Sequence, residues 1–298
     1  MSNNPIDLSQ LPAPSVVETL DYETILAEML DDLRARDDNF DALVESDPAY
    51  KILQVAAYRE MILRQRINEA SRSVMLAYAT GADLDQLAAL FGVQRLIIVP
   101  GDPDAVPPVD DVYESDREFR RRIQLSLEGF STAGPEGAYI YHALSADGAV
   151  LDASADSPSP GEVVVTVLDR NGDGSADQAL VDAVEAAVSA ETVRPLTDYV
   201  TAQSANIVRY RIRATLYIFD GPDSTVVMDN ARAAVQQYAD DNHRLGRDIT
   251  LSGIYAALHQ PGTQRVELTE PAQTLRINRQ SASWCTDIEL KEGDSVSD

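Results

Sequence analysis

The sequence predicts an α+β fold, with an N-terminal helical region followed by two small α+β domains. Three observations carry that expectation. Apolar residues between Tyr22 and Leu90 recur at three- and four-residue steps, the period of helices. Residues 162–168 are a valine-rich run, followed by a glycine-rich turn and then an amphipathic helix pattern. Residues 208–218 alternate strictly between apolar and polar side chains, the period of a half-buried strand.

The chain has 298 residues, enough for two or three domains. Its 44% apolar and 24% charged residues are globular proportions. Forty-nine acids against twenty-four bases leave a net charge of −25. Such a chain is repelled by phosphate backbones and by anionic membrane surfaces, so nucleic-acid and membrane partners are disfavoured. The acidity is uneven: −8 over residues 1–95, −8 over 96–160, −6 over 161–205 and −3 over 206–298. Twenty-two of the bases are arginine, whose planar fork suits ion pairs at interfaces. A single cysteine, Cys285, excludes an intrachain disulfide framework and a cysteine-clustered metal site. The longest apolar run, around Leu96–Val99, is far short of a bilayer span, and the first residues carry no basic, apolar signal pattern.

Prolines 5, 12 and 14 punctuate a loose start. A first helix is expected over Tyr22–Leu33. Pro48 stands where a long second helix should begin, running from about Tyr50 to Tyr78 until Gly81 breaks it. Along it Leu63, Ile67, Ala70 and Val74 are four and three residues apart, a heptad seam. A second apolar set, Tyr58, Met61, Ile62 and Met75, shares that helix. A short helix over 83–90 ends at Gly92, so 1–95 is read as the helical region. Residues 96–114 hold four prolines and read as a proline-rich linker or exposed loop.

The central α+β domain is expected over 115–204. Ser115 or Asp116 caps a helix to Gly129, and Pro135 suits the first turn of the next. A strand over Glu162–Leu168, a helix over Asp177–Ala190 and a strand near Tyr199 complete it. The C-terminal α+β domain, 205–298, opens on the alternating strand. There Val208, Tyr210, Ile212, Ala214, Leu216 and Ile218 face one way, and Arg209, Arg211, Arg213, Thr215 and Tyr217 the other. A turn at Gly221-Pro222, a helix capped by Ser224 and running to Asn242, a helix over 252–258, and strands around Val266–Leu268 and Ile288–Leu290 follow.

The chemistry is sparse. His142, His243 and His259 share no metal-ligand spacing and read as structural or surface residues. No nucleophile elbow, dinucleotide fingerprint or phosphate loop is present, and Cys285 beside Trp284 reads as a core residue. Asp169, Asn171, Asp173 and Gly174 match the first half of a calcium loop, but the twelfth position is Leu180 instead of glutamate. A strand-to-helix turn with Asp173 or Ser175 as the helix cap is the expected role. No catalytic, cofactor or metal residues are assigned, and the pattern fits a structural assembly protein better than an enzyme.

Several stretches in fixed order resemble the baseplate J family of contractile-tailed phages: ATGADLDQLAALFGV at 79–93, STAGPEGAYIYHAL at 131–144, VVVTVLDRNGDGSADQALVDAVEAAV at 163–188, VRPLTDYVTAQSA at 193–205 and LGRDITLSGIYAALHQPGTQRVEL at 245–268. The resemblance implies a structural baseplate wedge protein of a phage or contractile bacteriocin. Such a protein sits in the inner ring around the tail tube, transmits the contraction signal and is assembled in the host cytoplasm. It implies as partners a second copy, a companion wedge subunit similar to tail protein I, and other baseplate, tube and sheath-initiating components. It carries no catalytic residues and no cofactor. The interface candidates are the seam Leu63, Ile67, Ala70 and Val74, expected in a helical bundle, and the row Arg209, Arg211 and Arg213, expected at contacts between wedges. The alternative is a tail-associated peptidoglycan-degrading enzyme, which needs a carboxylate pair or a zinc site.

Overall fold

The computed structural model describes residues 8, 11, 12, 14, 16–131, 134–219 and 223–294. The described residues divide into two compact units, one lying within 8–94 and 115–121, the other within 95–114 and 122–294.

The first unit is helical, with α1 (Tyr22–Arg36), α2 (Pro48–Ser73), α3 (Gly81–Ala89) and the opening of α4 (Asp116–Gly129). Asp21 caps α1 by accepting from the Thr24 N–H at 2.8 Å. Glu23 in its first turn and Arg34 and Arg36 in its last complement the helix dipole. Pro48 takes the first position of α2, where its missing N–H costs nothing. Ile25, Leu26 and Leu30 of α1 bury against Ala57 of α2, with Leu53 and Met61 alongside.

The long helix is shorter than its pattern predicts. It stops at Ser73, and Val74 lies beyond it in a turn. The Ser71 and Ser73 hydroxyls donate to the carbonyls of Ile67 at 2.8 Å and Ala70 at 3.0 Å. Such back-bonding competes with the backbone ladder near a helix end. Arg120 of α4 then takes the Leu76 carbonyl through Nε at 2.6 Å and the Ala79 carbonyl through Nη2 at 2.7 Å, fixing the turn. Gly81, expected to end a helix, instead opens α3 at φ +51°.

In the second unit the proline-rich stretch is more than a linker. β1 (Ile97–Val99) pairs antiparallel with β2 (Val112–Tyr113). Beyond them Asp102 and Val109 exchange both backbone hydrogen bonds at 2.9 Å. All four prolines lie outside the two strands, so none removes a ladder donor within them.

α5 (Glu136–Ala146), β3 (Val150–Asp156), β4 (Glu162–Asp169), α6 (Gln178–Val188) and β5 (Tyr199–Ser204) build a central subdomain with sheet order β3-β4-β5. β3 and β4 form an antiparallel pair, and α6 makes the crossover that lets β5 join β4 in parallel. Pro135 is the N-cap of α5 and not part of its first turn.

The C-terminal subdomain holds β6 (Asn206–Ile218), α7 (Ser224–Asn242), α8 (Leu251–Leu258), β7 (Thr263–Glu270) and β8 (Ser281–Glu292), in sheet order β7-β6-β8. The alternation of β6 holds from Tyr210 to Ile218, whose apolar members are buried, while Val208 is exposed. Ala231 and Val235 of α7 share that core. Asp223 caps α7, and Ser224 is its first residue. The turn expected at Gly221-Pro222 lies outside the described residues.

Candidate assembly surfaces

α2 presents two apolar faces. The inward one carries Leu53, Ala57 and Met61 toward α1, together with the buried Asn68. The outward one carries Ile52, Val55, Ile62, Leu63 and Ile67, all exposed, with Leu63 at 65% and Ile67 at 59%. Ala70 continues this face and is exposed. Val74, the fourth member of the seam, is exposed but stands beyond the helix end. The heptad seam is uncovered, while Met61 of the second set packs on α1. Exposed apolar residues in a contiguous stripe mark an interaction surface.

The arginine row does not present three free cations. Arg209 forms an ion pair with Asp173. Arg213 meets Glu289 of β8 at 3.2 Å and Glu270 of β7 at 3.5 Å. Strand register explains this, because Arg213 stands opposite Glu270 on one side and Glu289 on the other. Arg211 is exposed and makes no ion pair among the described residues. Ser175 and Arg209 hold the Asp173 carboxyl below the usual aspartate range, and Lys291, with Arg213 behind it, does the same for Glu289.

A further exposed surface was not legible in the sequence. The ribbon from Ile97 to Tyr113 exposes Ile97, Val99, Val109, Val112 and Tyr113, and Val106 at its tip is 98% exposed. The valines spaced among its prolines were the only available sign. Its root is fixed by Glu114, which accepts from the Leu96 N–H at 3.0 Å and forms a buried ion pair with Arg122.

The turn at 169–177 uses its carboxylates on its own backbone. Asp169 accepts from the Asn171 N–H at 2.8 Å, Asp173 from the Ser175 N–H at 3.2 Å, and Asp177 from the Leu180 N–H at 2.8 Å. Asp177, and neither Asp173 nor Ser175, is the cap of α6. Among the described residues no three His, Cys, Asp or Glu side chains gather as a metal site. His142 and His259 lie on α5 and at the end of α8. Burial lowers the pKa of His142 and pushes the Cys285 thiol up, which disfavours the nucleophilic thiolate. A 410 Å³ cleft of the helical unit is lined by Glu18, Asp21, Glu28 and Arg64 among others. Arg64 is already paired with Glu60 and Glu18 there. No helix among the described residues is long and apolar enough to cross a membrane.

Both stripes, on α2 and on the ribbon, lie on ordered elements and are open to contact with another molecule. Residues 45–102 match the baseplate J-like N-terminal domain and residues 131–204 the baseplate J-like central domain. Over 297 residues the chain is 49% identical to baseplate protein J of Escherichia phage P2, covering 97% of this chain and 98% of that one. The chain belongs to the baseplate J-like family, as its sequence motifs led us to expect. A chain in the sixfold-symmetrised cryo-EM structure of the anti-feeding prophage baseplate is similar at 13% identity and a TM-score of 0.41, over 64% of this chain and 46% of that one.

Proposed function

We propose that this protein is a structural, non-enzymatic wedge component of a contractile-tail baseplate. The observation that carries the reading is the 49% identity to a phage baseplate protein J, which runs through 97% of the chain. In this reading residues 1–95 enter a helical bundle through the outward face of α2, residues 96–114 connect, 115–204 form the central domain, and 205–298 meet neighbouring wedges around the tail tube. The partners are a second copy, a companion subunit similar to tail protein I, and other baseplate, tube and sheath-initiating components. The ring they form passes on the signal to contract, in a particle assembled in the bacterial cytoplasm.

The test is to delete the gene from the producing strain, restore it with an epitope-tagged copy, and image the particles by electron microscopy. Tails should be missing or lack baseplates without the protein, and the tag should decorate the baseplate when it is restored. Decoration elsewhere, or intact baseplates without the protein, would refute the assignment. Hydrolysis of peptidoglycan by the purified chain would overturn its non-enzymatic part.

A further inference from the structure

We infer that the turn Asp169–Asp177 is a latch that joins the central and C-terminal subdomains into one rigid body. The turn belongs to the central subdomain, since it links β4 to α6. Its contacts, however, reach the other subdomain. Gly174 stands at φ +96°, a conformation that side-chain-bearing residues rarely adopt. A Cβ placed on it would lie 2.9 Å from both Cε1 and Nε2 of His243, and 2.5 Å from Cδ1 of Leu168. His243 is the C-cap of α7 and is buried. Its Nδ1 lies 2.6 Å from the Ser283 carbonyl of β8, and its ring meets Trp284 edge-on with centroids 5.0 Å apart. One residue before Gly174, Asp173 pairs with Arg209 of β6.

A second tether runs from β3. Arg244 donates to the Leu151 carbonyl at 2.9 Å, the Leu245 N–H donates to Asp152 at 3.0 Å, and the Ser154 hydroxyl donates to the Arg279 carbonyl at 2.6 Å. Between the tethers, Leu168 of the central sheet buries with Ala282 of the C-terminal sheet and with Ala205. Ala205 is the only residue between β5 and β6, so the connection gives the two sheets no slack to move apart. Relative motion would expose this shared core and break the part-buried hydrogen bonds of Arg244 and Leu245 at once. The cation-loop-like motif thus has a mechanical role: its glycine admits the histidine, and its aspartates shape the turn. Any bending of the chain during a rearrangement falls outside this joint. The inference concerns the fold itself and stands independently of the baseplate reading.

The test uses the full chain with Cys285→Ala, and spin labels at Gln178→Cys on α6 and Gln237→Cys on α7, both exposed positions. Pulsed electron–electron distance measurement should give one narrow distribution. A broad or two-peaked distribution overturns the inference. Adding Gly174→Leu should broaden the distribution while helix content is kept, and an unchanged width in that folded variant overturns the latch. Should Gly174→Leu fail to fold, Asp173→Ala combined with Arg244→Ala replaces it. Broadening in that variant supports the inference, and an unchanged width overturns it.

Discussion

The side-chain amide of Asn68 grips the backbone of Glu18 with both of its ends. The Glu18 N–H donates to Oδ1 at 3.0 Å, and Nδ2 donates to the Glu18 carbonyl at 2.9 Å. The pair pins the segment before α1 onto α2, and it explains a buried polar residue on an otherwise apolar inward face. Asn68→Leu strands both backbone groups and should cost about 1–3 kcal/mol in urea unfolding. Asn68→Asp keeps the acceptor but sets an oxygen against the carbonyl, so it too should lower the midpoint. Wild-type midpoints in both variants would mean that water satisfies Glu18 instead.

Glu114 and Arg122 form an ion pair whose side chains are only 4% and 6% exposed. Arg122 also donates to the Ser145 hydroxyl at 3.2 Å, tying the root of the ribbon to α4 and α5. Removing one partner of a buried pair leaves an uncompensated charge, so Arg122→Met should destabilise by about 3–5 kcal/mol. Arg122→Met with Glu114→Gln should recover part of that loss, because the amide oxygen can still accept from the Leu96 N–H. Equal stability of the single and double variants, measured by chemical unfolding, would show that burial of the charge is not what the pair resolves.

Much of the fold was legible because its elements obey one period each. β6 from Tyr210 to Ile218 and α4 from Asp116 to Gly129 follow from alternation and capping alone. β3 did not, since Asp152, Ser154 and Asp156 are poor strand formers. Its place is set by pairing with β4, and Asp152 is buried because it accepts from the Leu245 N–H. That contact spans 93 positions in sequence, a distance over which a local pattern carries no information. The candidate surfaces were half legible. The seam at Leu63 and Ile67 was visible as a period, but whether α1 would cover it depends on which face of α2 carries Ala57, the small residue that lets α1 approach. Likewise the three arginines of β6 look alike in sequence, and only the fold shows Arg213 between Glu270 and Glu289, whereas Arg211 has Asp287 of β8 opposite it on one side alone.

Asp173 gives a pH prediction. Its folded pKa is held below the ordinary value by Ser175 and Arg209. A carboxylate of this kind stabilises the fold above its unfolded pKa, and the contribution is lost as pH falls through the folded one. Asp173→Asn should therefore melt below the wild type at neutral pH, and the gap should close as pH drops through and below the usual aspartate range. Arg209 is 66% exposed, so added salt should also narrow the gap. A difference in melting temperature that does not change with pH would assign the loss to packing.

Arg211 is the member of the row with no ion pair among the described residues, and under the proposed function it is the one expected to meet a neighbouring wedge. A reversed charge at this exposed strand position, opposite Asp287 of β8, should lower monomer stability by less than about 1 kcal/mol. Arg211→Glu should thus purify folded and melt only slightly below the wild type, yet be depleted from assembled particles. Arg213→Glu should lose stability as well, since it faces two glutamates. Normal incorporation of Arg211→Glu into particles would remove this face from the contacts between wedges.

The outward face of α2 gives the sharpest separation of folding from assembly. Ile67 is 59% exposed, whereas Ala57 on the inward face is wholly buried. A carboxylate at Ile67 stays in water in the isolated chain, so Ile67→Asp should leave the melting temperature close to wild type. In a dry bundle the same carboxylate has no partner, and association should fail. Ala57→Asp puts the charge between α1 and α2 and should unfold the helical unit itself. Val74→Asp should impair association less than Ile67→Asp, because Val74 lies past the end of the helix. The measurement is co-purification with the companion subunit that the proposed function names, run beside thermal melts of each variant alone. A folded Ile67→Asp chain that is lost from the complex assigns the seam to the bundle. Recovery of that variant at wild-type yield would show that α2 uses another face, and the exposed Leu63 and Ile67 would need a different partner.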